Sequence, residues 1–190
     1  KIVKKAILRS VKLFLLGLFL ALFYYDFSSA DFNWIEERLT TVRIMGVLQR
    51  IALVYLLSVF LVLMFNKNKL IYVSLGFLAI YTLIIFFIPY SDLQGTIYVG
   101  LFEKGNSLGA WVDHHVLGIN HVYYKATQPF SSDPEGLLST LPAISTCLCG
   151  VITGNYLRRP SNNGDLLERV KWLIIVGLAG IIFGLLLSNV

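Results

Sequence analysis

Five apolar runs dominate this sequence, at about 7–25, 44–65, 70–90, 137–157 and 172–190. About 20 mostly apolar residues is the length at which an α-helix crosses the hydrocarbon core of a bilayer, where lipid offers backbone groups no other partner. Buried helices of a soluble protein would instead show polar faces at helical period, and the third and fifth runs show almost none. Only 14% of the residues are charged, about half the share of a water-coated domain, so a soluble globule and a disordered chain are both excluded. The fold class that remains is all-α: a polytopic transmembrane bundle of five spanning helices. It is read as one transmembrane domain over residues 1–190, with a long external loop at 91–136 that carries a short helix. A start at Lys1 and an end at Val190 inside an apolar run suggest the central fragment of a longer protein.

The distribution of charge orients the bundle. Lys1, Lys4, Lys5, Arg9 and Lys12 precede or open the first run, Lys67 and Lys69 separate the second from the third, and Arg158, Arg159, Arg169 and Lys171 separate the last two. Acidic residues gather in the other loops: Asp26, Asp31, Glu36 and Glu37 in the first, Asp92, Glu103, Asp113, Asp133 and Glu135 in the second. The N-terminus is therefore expected in the cytoplasm and loops 26–43 and 91–136 outside, with Tyr24, Tyr25 and Tyr90 at the outer boundary. Ser28 and Ala30 offer a small-residue cleavage pattern, but Lys12 and the apolar length suit a spanning helix better than a signal peptide.

Polar residues on that outer side are the candidates for function. Residues 108–123 read as a short helix with Leu108, Trp111, Val112, Val116 and Ile119 near one face. His114, His115 and His121 lie in it, with Asp113 and Asn120 beside them. These are zinc-ligand types, but adjacent histidines diverge by about 100° on a helix, and no metal is assigned. His121 is the candidate within this chain for sugar contact or proton transfer. Asp133-Pro134-Glu135-Gly136 fits a helix start, with Asp as cap, Pro in the first turn and acids at the positive dipole end. It fits equally a pair of carboxylates at the mouth of a cavity. Arg43 and Arg50, seven apart, share a face at the start of the second run. An arginine inside the hydrocarbon edge costs at least a few kcal/mol unless it snorkels or is paired, so Arg50, with Gln49, is expected to face a polar cavity. Cys147 and Cys149 have no neighbour that would lower a thiol pKa and read as packing residues. Gly150/Gly154 and Gly180/Gly184 permit close helix approach and allow, without requiring, a homo-oligomer. No nucleotide-cradling loop, nucleophile elbow or nucleic-acid signature is present in the sequence.

Three segments, VRIMGVLQRIALVYLL, WVDHHVLGINHVYY and DPEGLLSTLPAI, resemble in sequence and order the heparan-alpha-glucosaminide N-acetyltransferase family, whose bacterial relatives are described as membrane acyltransferase-like proteins. The similarity spans about 43–157. Met45 stands where the family commonly has Pro, and Asp113-His114 where it has Asp-Arg, which removes a cation near the substrate loop. The resemblance implies a membrane enzyme, in bacteria of the inner membrane, that takes acetyl from acetyl-CoA on the cytoplasmic side. It would pass that group to an amino sugar or glycan outside. The family's catalytic histidine lies in a loop upstream of the first helix, outside this chain, and the fragment alone is expected to be inactive. Arg43, Gln49 and Arg50 are expected to line the outer cavity, and Asp113, Asn120, His121, Asp133 and Glu135 to form its rim and bind substrate. The alternatives are a transporter or channel for a small anionic solute, and a non-catalytic membrane scaffold.

Overall fold

In a computed structural model, which describes residues 1–23, 32–158 and 165–188, the chain is mostly helical. The helices are α1 (Ile2–Leu22), α2 (Val47–Met64), α3 (Leu70–Phe87), α4 (Leu108–Leu117), α5 (Thr140–Leu157) and α6 (Asp165–Ser188). One turn of π-helix, Ile35–Leu39, precedes α2, and a 3₁₀ turn, Ile119–His121, follows α4. The chain forms two compact units, Lys1–Gly150 and Val151–Val190. Among the described residues, α2 and α3 are the helices long and apolar enough to cross a membrane. Tyr24, Tyr25, Asp26, Ser28, Ala30, Asp31 and Arg159, all used in the sequence reading, lie outside the described residues.

In the first unit, helix contacts run through small and weakly polar residues. Ala6, Ser10 and Gly17 are the buried positions of α1, four and seven residues apart and so on one face toward α2. Ser10 Oγ donates to the Ala52 carbonyl at 2.9 Å. Gln49 fills the space that Gly17 leaves: a Cβ on Gly17 would stand 2.6 Å from Gln49 Oε1. Between α3 and α5, Ser74 Oγ lies 2.7 Å from Ser145 Oγ, 3.1 Å from the Ser145 carbonyl and 3.3 Å from Cys149 Sγ. Small residues and interhelical hydrogen bonds are how helices associate where lipid is as apolar as leucine, each such bond contributing roughly 0.6–2 kcal/mol.

Several boundaries differ from the sequence reading, each for a local reason. α1 begins at Ile2, because Lys4, Lys5, Arg9 and Lys12 are good helix formers that only look like a loop to a hydropathy window. α3 ends at Phe87: Pro89 pushes Ile88 into extended backbone, and Tyr90–Ser91 is already a strand. The loop helix stops at Leu117, because Gly118 turns the chain with φ +85°. α5 begins at Thr140 rather than near 137, and α6 at Asp165 rather than near 172.

The segment between α3 and α5 is a folded unit built on the end of α3. Two short antiparallel hairpins, β1 (Tyr90–Ser91) with β2 (Ile97–Tyr98) and β3 (Phe102–Glu103) with β4 (Asn106–Ser107), occupy a stretch read from sequence as plain loop. Behind them Ile85, Tyr90, Leu108, Ala110 and Phe130 form a buried cluster. Ser107 caps α4 by accepting from the Ala110 N–H at 3.1 Å. In the second unit, Tyr156 packs on Trp172 with ring centroids 4.5 Å apart, and Arg169 Nη1 donates to the Leu157 carbonyl at 2.8 Å.

The α1–α2 seam gives a direct test. Gly17→Val should lower stability by about 1–3 kcal/mol through overpacking against Gln49. Gly76→Ala on α3, with nothing within 4 Å, should change it little. Thermal unfolding in detergent checks both.

Candidate functional site

The site begins with a turn that is not a helix cap. Asp133 Oδ1 accepts from the Glu135 N–H at 2.9 Å, and the Gly136 N–H closes back on the Asp133 carbonyl at 3.1 Å. The remaining lone pairs of Asp133 go elsewhere. Arg43 Nε donates to Oδ2 at 2.8 Å, Arg43 Nη2 to Oδ1 at 2.6 Å, and the Tyr123 N–H to Oδ2 at 3.0 Å. Arg43 Nη2 also meets Glu135 Oε2, and its guanidinium carbon lies 4.8 Å from the centre of the Tyr123 ring. The Asp133 side chain is fully buried, while that of Arg43 keeps a quarter of its surface in solvent. The hydrogen bond to Asp133 raises the Arg43 pKa, and the guanidinium remains charged throughout.

A second carboxylate stands behind this one. Asp113, on α4, is 2% exposed and accepts from the Leu137 N–H at 2.9 Å. Burial pushes its pKa up to about 6; the Leu137 N–H opposes the rise, and the neighbouring charge of Asp133 adds to it. Gly136 lies against Asp113 so closely that any Cβ there would overlap the carboxylate. With Leu137 held by Asp113 and Asp133 committed to Arg43, residues 134–139 run as turns and the helix waits until Thr140.

Asp113 and Asp133 line a cavity of about 220 Å³, together with Glu103, Lys104, Tyr81 and Tyr124. The ammonium of Lys104 sits 3.3 Å over the Tyr124 ring. An adjoining groove of about 500 Å³ shares Lys104 and Tyr124 and adds Tyr123 and Lys125. A carboxyl that ionises near pH 6, held in a pocket of hydroxyls and acids, is chemically suited to gripping a cationic or hydroxyl-rich group.

The other sequence candidates surround this cavity in different ways. Arg50 donates from Nη2 to the Ser139 carbonyl at 2.8 Å and from Nη1 to Pro134 at 3.4 Å, so its partners are carbonyls of the turn rather than carboxylates. His121 donates from Nδ1 to the Val42 carbonyl at 2.7 Å, since a carbonyl only accepts, and its own carbonyl receives the Ile44 N–H. That pair ties the loop to the entrance of α2. Gln49 is buried beside a separate cleft of about 180 Å³ between α1 and α2, with Arg43 at the cleft edge. Asn120 is exposed in the 3₁₀ turn and lies outside the cavity lining. His114 shares a hydrogen bond with Ser131 Oγ at 2.9 Å, and its pKa is lowered by burial and then by His115, whose Nδ1 donates to the Trp111 carbonyl. Among the described residues, no three His, Cys, Asp or Glu side chains converge on one point.

Tyr81, Glu103, Lys104, Tyr124 and Ser139 line the cavity and were not singled out from sequence. Tyr81 was detectable: with Ser74 seven residues earlier it puts two polar groups on one face of a mostly apolar helix. Compared with known protein families and with curated proteins, the chain matches none.

Two measurements probe the site. Arg43→Gln leaves the buried Asp133 without its cation and should cost about 3–5 kcal/mol. The folded chain holds the Asp113 proton up to about pH 6, whereas an unfolded chain releases it near 3.8. The folded state therefore binds more protons between those values, and this group's contribution to stability falls as pH rises from 4 through 6. Asp113→Asn, which keeps an acceptor for Leu137, should flatten that slope in chemical denaturation at a series of pH values.

Proposed function

We propose that the chain belongs to a five-pass membrane acyltransferase, with α1, α5 and α6 crossing the bilayer as well as α2 and α3. In this reading acetyl-CoA donates from the cytoplasmic side and an amino sugar or glycan accepts in the Asp113 cavity. The N-terminus lies in the cytoplasm of a bacterial cell, and the 26–43 and 91–136 loops lie beyond the inner membrane. The observation that supports it is convergence: the three segments carrying the family resemblance meet through Arg43, Tyr123 and Asp133 around one carboxylate-lined cavity.

Within the cavity the chain's own residues have separate tasks. Asp113 pairs with the acceptor's ammonium and keeps the nitrogen near the acyl carbonyl until its proton is lost. Tyr81 and Tyr124, which line the cavity, supply hydroxyls that sugar hydroxyls can pair with. Arg43, already committed to Asp133 and Glu135, positions rather than binds. The proton-accepting histidine that the resemblance implies is not assigned to a residue of this chain.

The test uses the full-length protein in proteoliposomes, labelled acetyl-CoA and a glucosamine-ended glycan. Acceptor KM should fall as pH rises through about 6, where Asp113 ionises. Asp113→Asn should lose that dependence and about 10–100-fold in kcat/KM, the worth of one charge-assisted hydrogen bond. Unchanged acceptor kinetics in the variant would sink the assignment of the cavity. Anion uptake without acetyl transfer would instead favour a transporter, and absence of both activities a scaffold.

A further inference from the structure

The first hairpin carries large apolar side chains on the face turned away from the fold. Tyr90 and Tyr98 stack on each other at 5.7 Å on the inner face, where Tyr90 also meets Phe130. Leu93, Ile97 and Val99 of the same hairpin are exposed, Leu93 at the tip by 92%. The end of α3 that leads into this hairpin is exposed too: Phe87 and Ile88 face solvent, and Phe102 packs its ring 5.4 Å from Phe86 while remaining exposed itself. Scattered apolar side chains on a surface are ordinary, whereas a contiguous patch marks a binding face.

The turn beneath the patch meets a condition that water does not impose. Asp92 Oδ1 accepts from the N–H groups of Gln94 and Thr96 at 3.0 and 2.8 Å, and Oδ2 from the Tyr98 hydroxyl at 2.9 Å. The Asp92 N–H donates to the Thr96 carbonyl, and the Gly95 N–H to the Asp92 carbonyl. Four N–H groups of the turn and the Tyr98 hydroxyl are thus satisfied from within, which lowers the cost of bringing this backbone into a poorly hydrated environment.

We propose that Phe87, Ile88, Leu93, Ile97, Val99 and Phe102 form an interfacial wedge that seats in the headgroup–acyl boundary of the leaflet at the C-terminal end of α3. The partner is a lipid surface, argued from continuity with the exposed face of a helix long and apolar enough to span. The proposal rests on α3 lying in a membrane, but not on acyl transfer. The wedge would hold the loop unit, and with it the cavity, at a fixed height above the bilayer.

The experiment is spin-label accessibility on the full chain in liposomes of phosphatidylcholine with phosphatidylglycerol. Single cysteines replace Leu93, Ile97, Leu78 and Lys125 in a Cys147→Ser, Cys149→Ser background. Labels at Leu93→Cys and Ile97→Cys should be several-fold more accessible to oxygen than to a water-soluble nickel chelate, with the reverse at Lys125→Cys. Nickel-accessible labels at both hairpin positions, with Leu78→Cys still in lipid, would overturn the wedge alone. If Leu78→Cys is also water-accessible, the membrane reading of α3 fails with it. Labels on the hairpin that reach neither reagent would show a protein contact there, either a second copy or another stretch of chain, and would likewise overturn the proposal.

Discussion

Arg43 and Asp133 are ninety residues apart in the chain, and their side chains meet at 2.6 Å. That ion pair, with Glu135 on the same guanidinium, joins the approach to α2 to the turn before α5. A buried carboxylate is expensive unless a cation and additional donors satisfy it, and Asp133 has both. Once it is fixed, the rest of the loop unit has little freedom. Tyr123 is held by its N–H, residues 121 and 44 are joined through the backbone, and Gly136 is brought against Asp113. The cavity follows from this chain of constraints and not from any single concave element.

The ion pair also decides the chemical character of the cavity. A sequence carrying Arg43 and Arg50 beside a polar loop invites an anion site. Arg43, however, is neutralised by two carboxylates, and Arg50 is turned to the carbonyls of Pro134 and Ser139. The charges left facing the space are Asp113, Glu103 and Lys104, with Lys104 drawn over the Tyr124 ring. An amine or a hydroxyl-rich sugar suits that balance better than a small anion does, and this weighs against the channel alternative.

Much of this was legible in the sequence, because hydropathy and charge are properties of composition. The apolar runs coincide with helices, and Arg43, Asp133, Glu135, Asp113 and His121 were each marked as polar groups in need of a reason. Which of them would meet was not legible. Whether Asp133 caps a helix or binds an arginine depends on what lies ninety residues away, and capping statistics see only the neighbours. The two hairpins were missed for a different reason: strands of two residues leave no period to detect. Gly136 was given no role of its own in the Asp133–Gly136 helix start, when its importance is the lack of a Cβ against Asp113.

A buried acid and a wet loop place opposite demands on the same stretch of chain, and the structure separates them in space. The inner face of the segment from Tyr90 to Gly136 carries the buried cluster of Tyr90, Leu108 and Phe130, and Leu108 shares α4 with the buried Asp113. Burial is what lifts its pKa to about 6; an acid in the same place with open water around it would stay near 3.8. The carboxyl also borders the cavity, so a ligand could replace water there without rebuilding the turn. The apolar cluster on the end of α3 is therefore more than support. It builds the helix that carries Asp113, the cavity group whose pKa burial lifts to about 6.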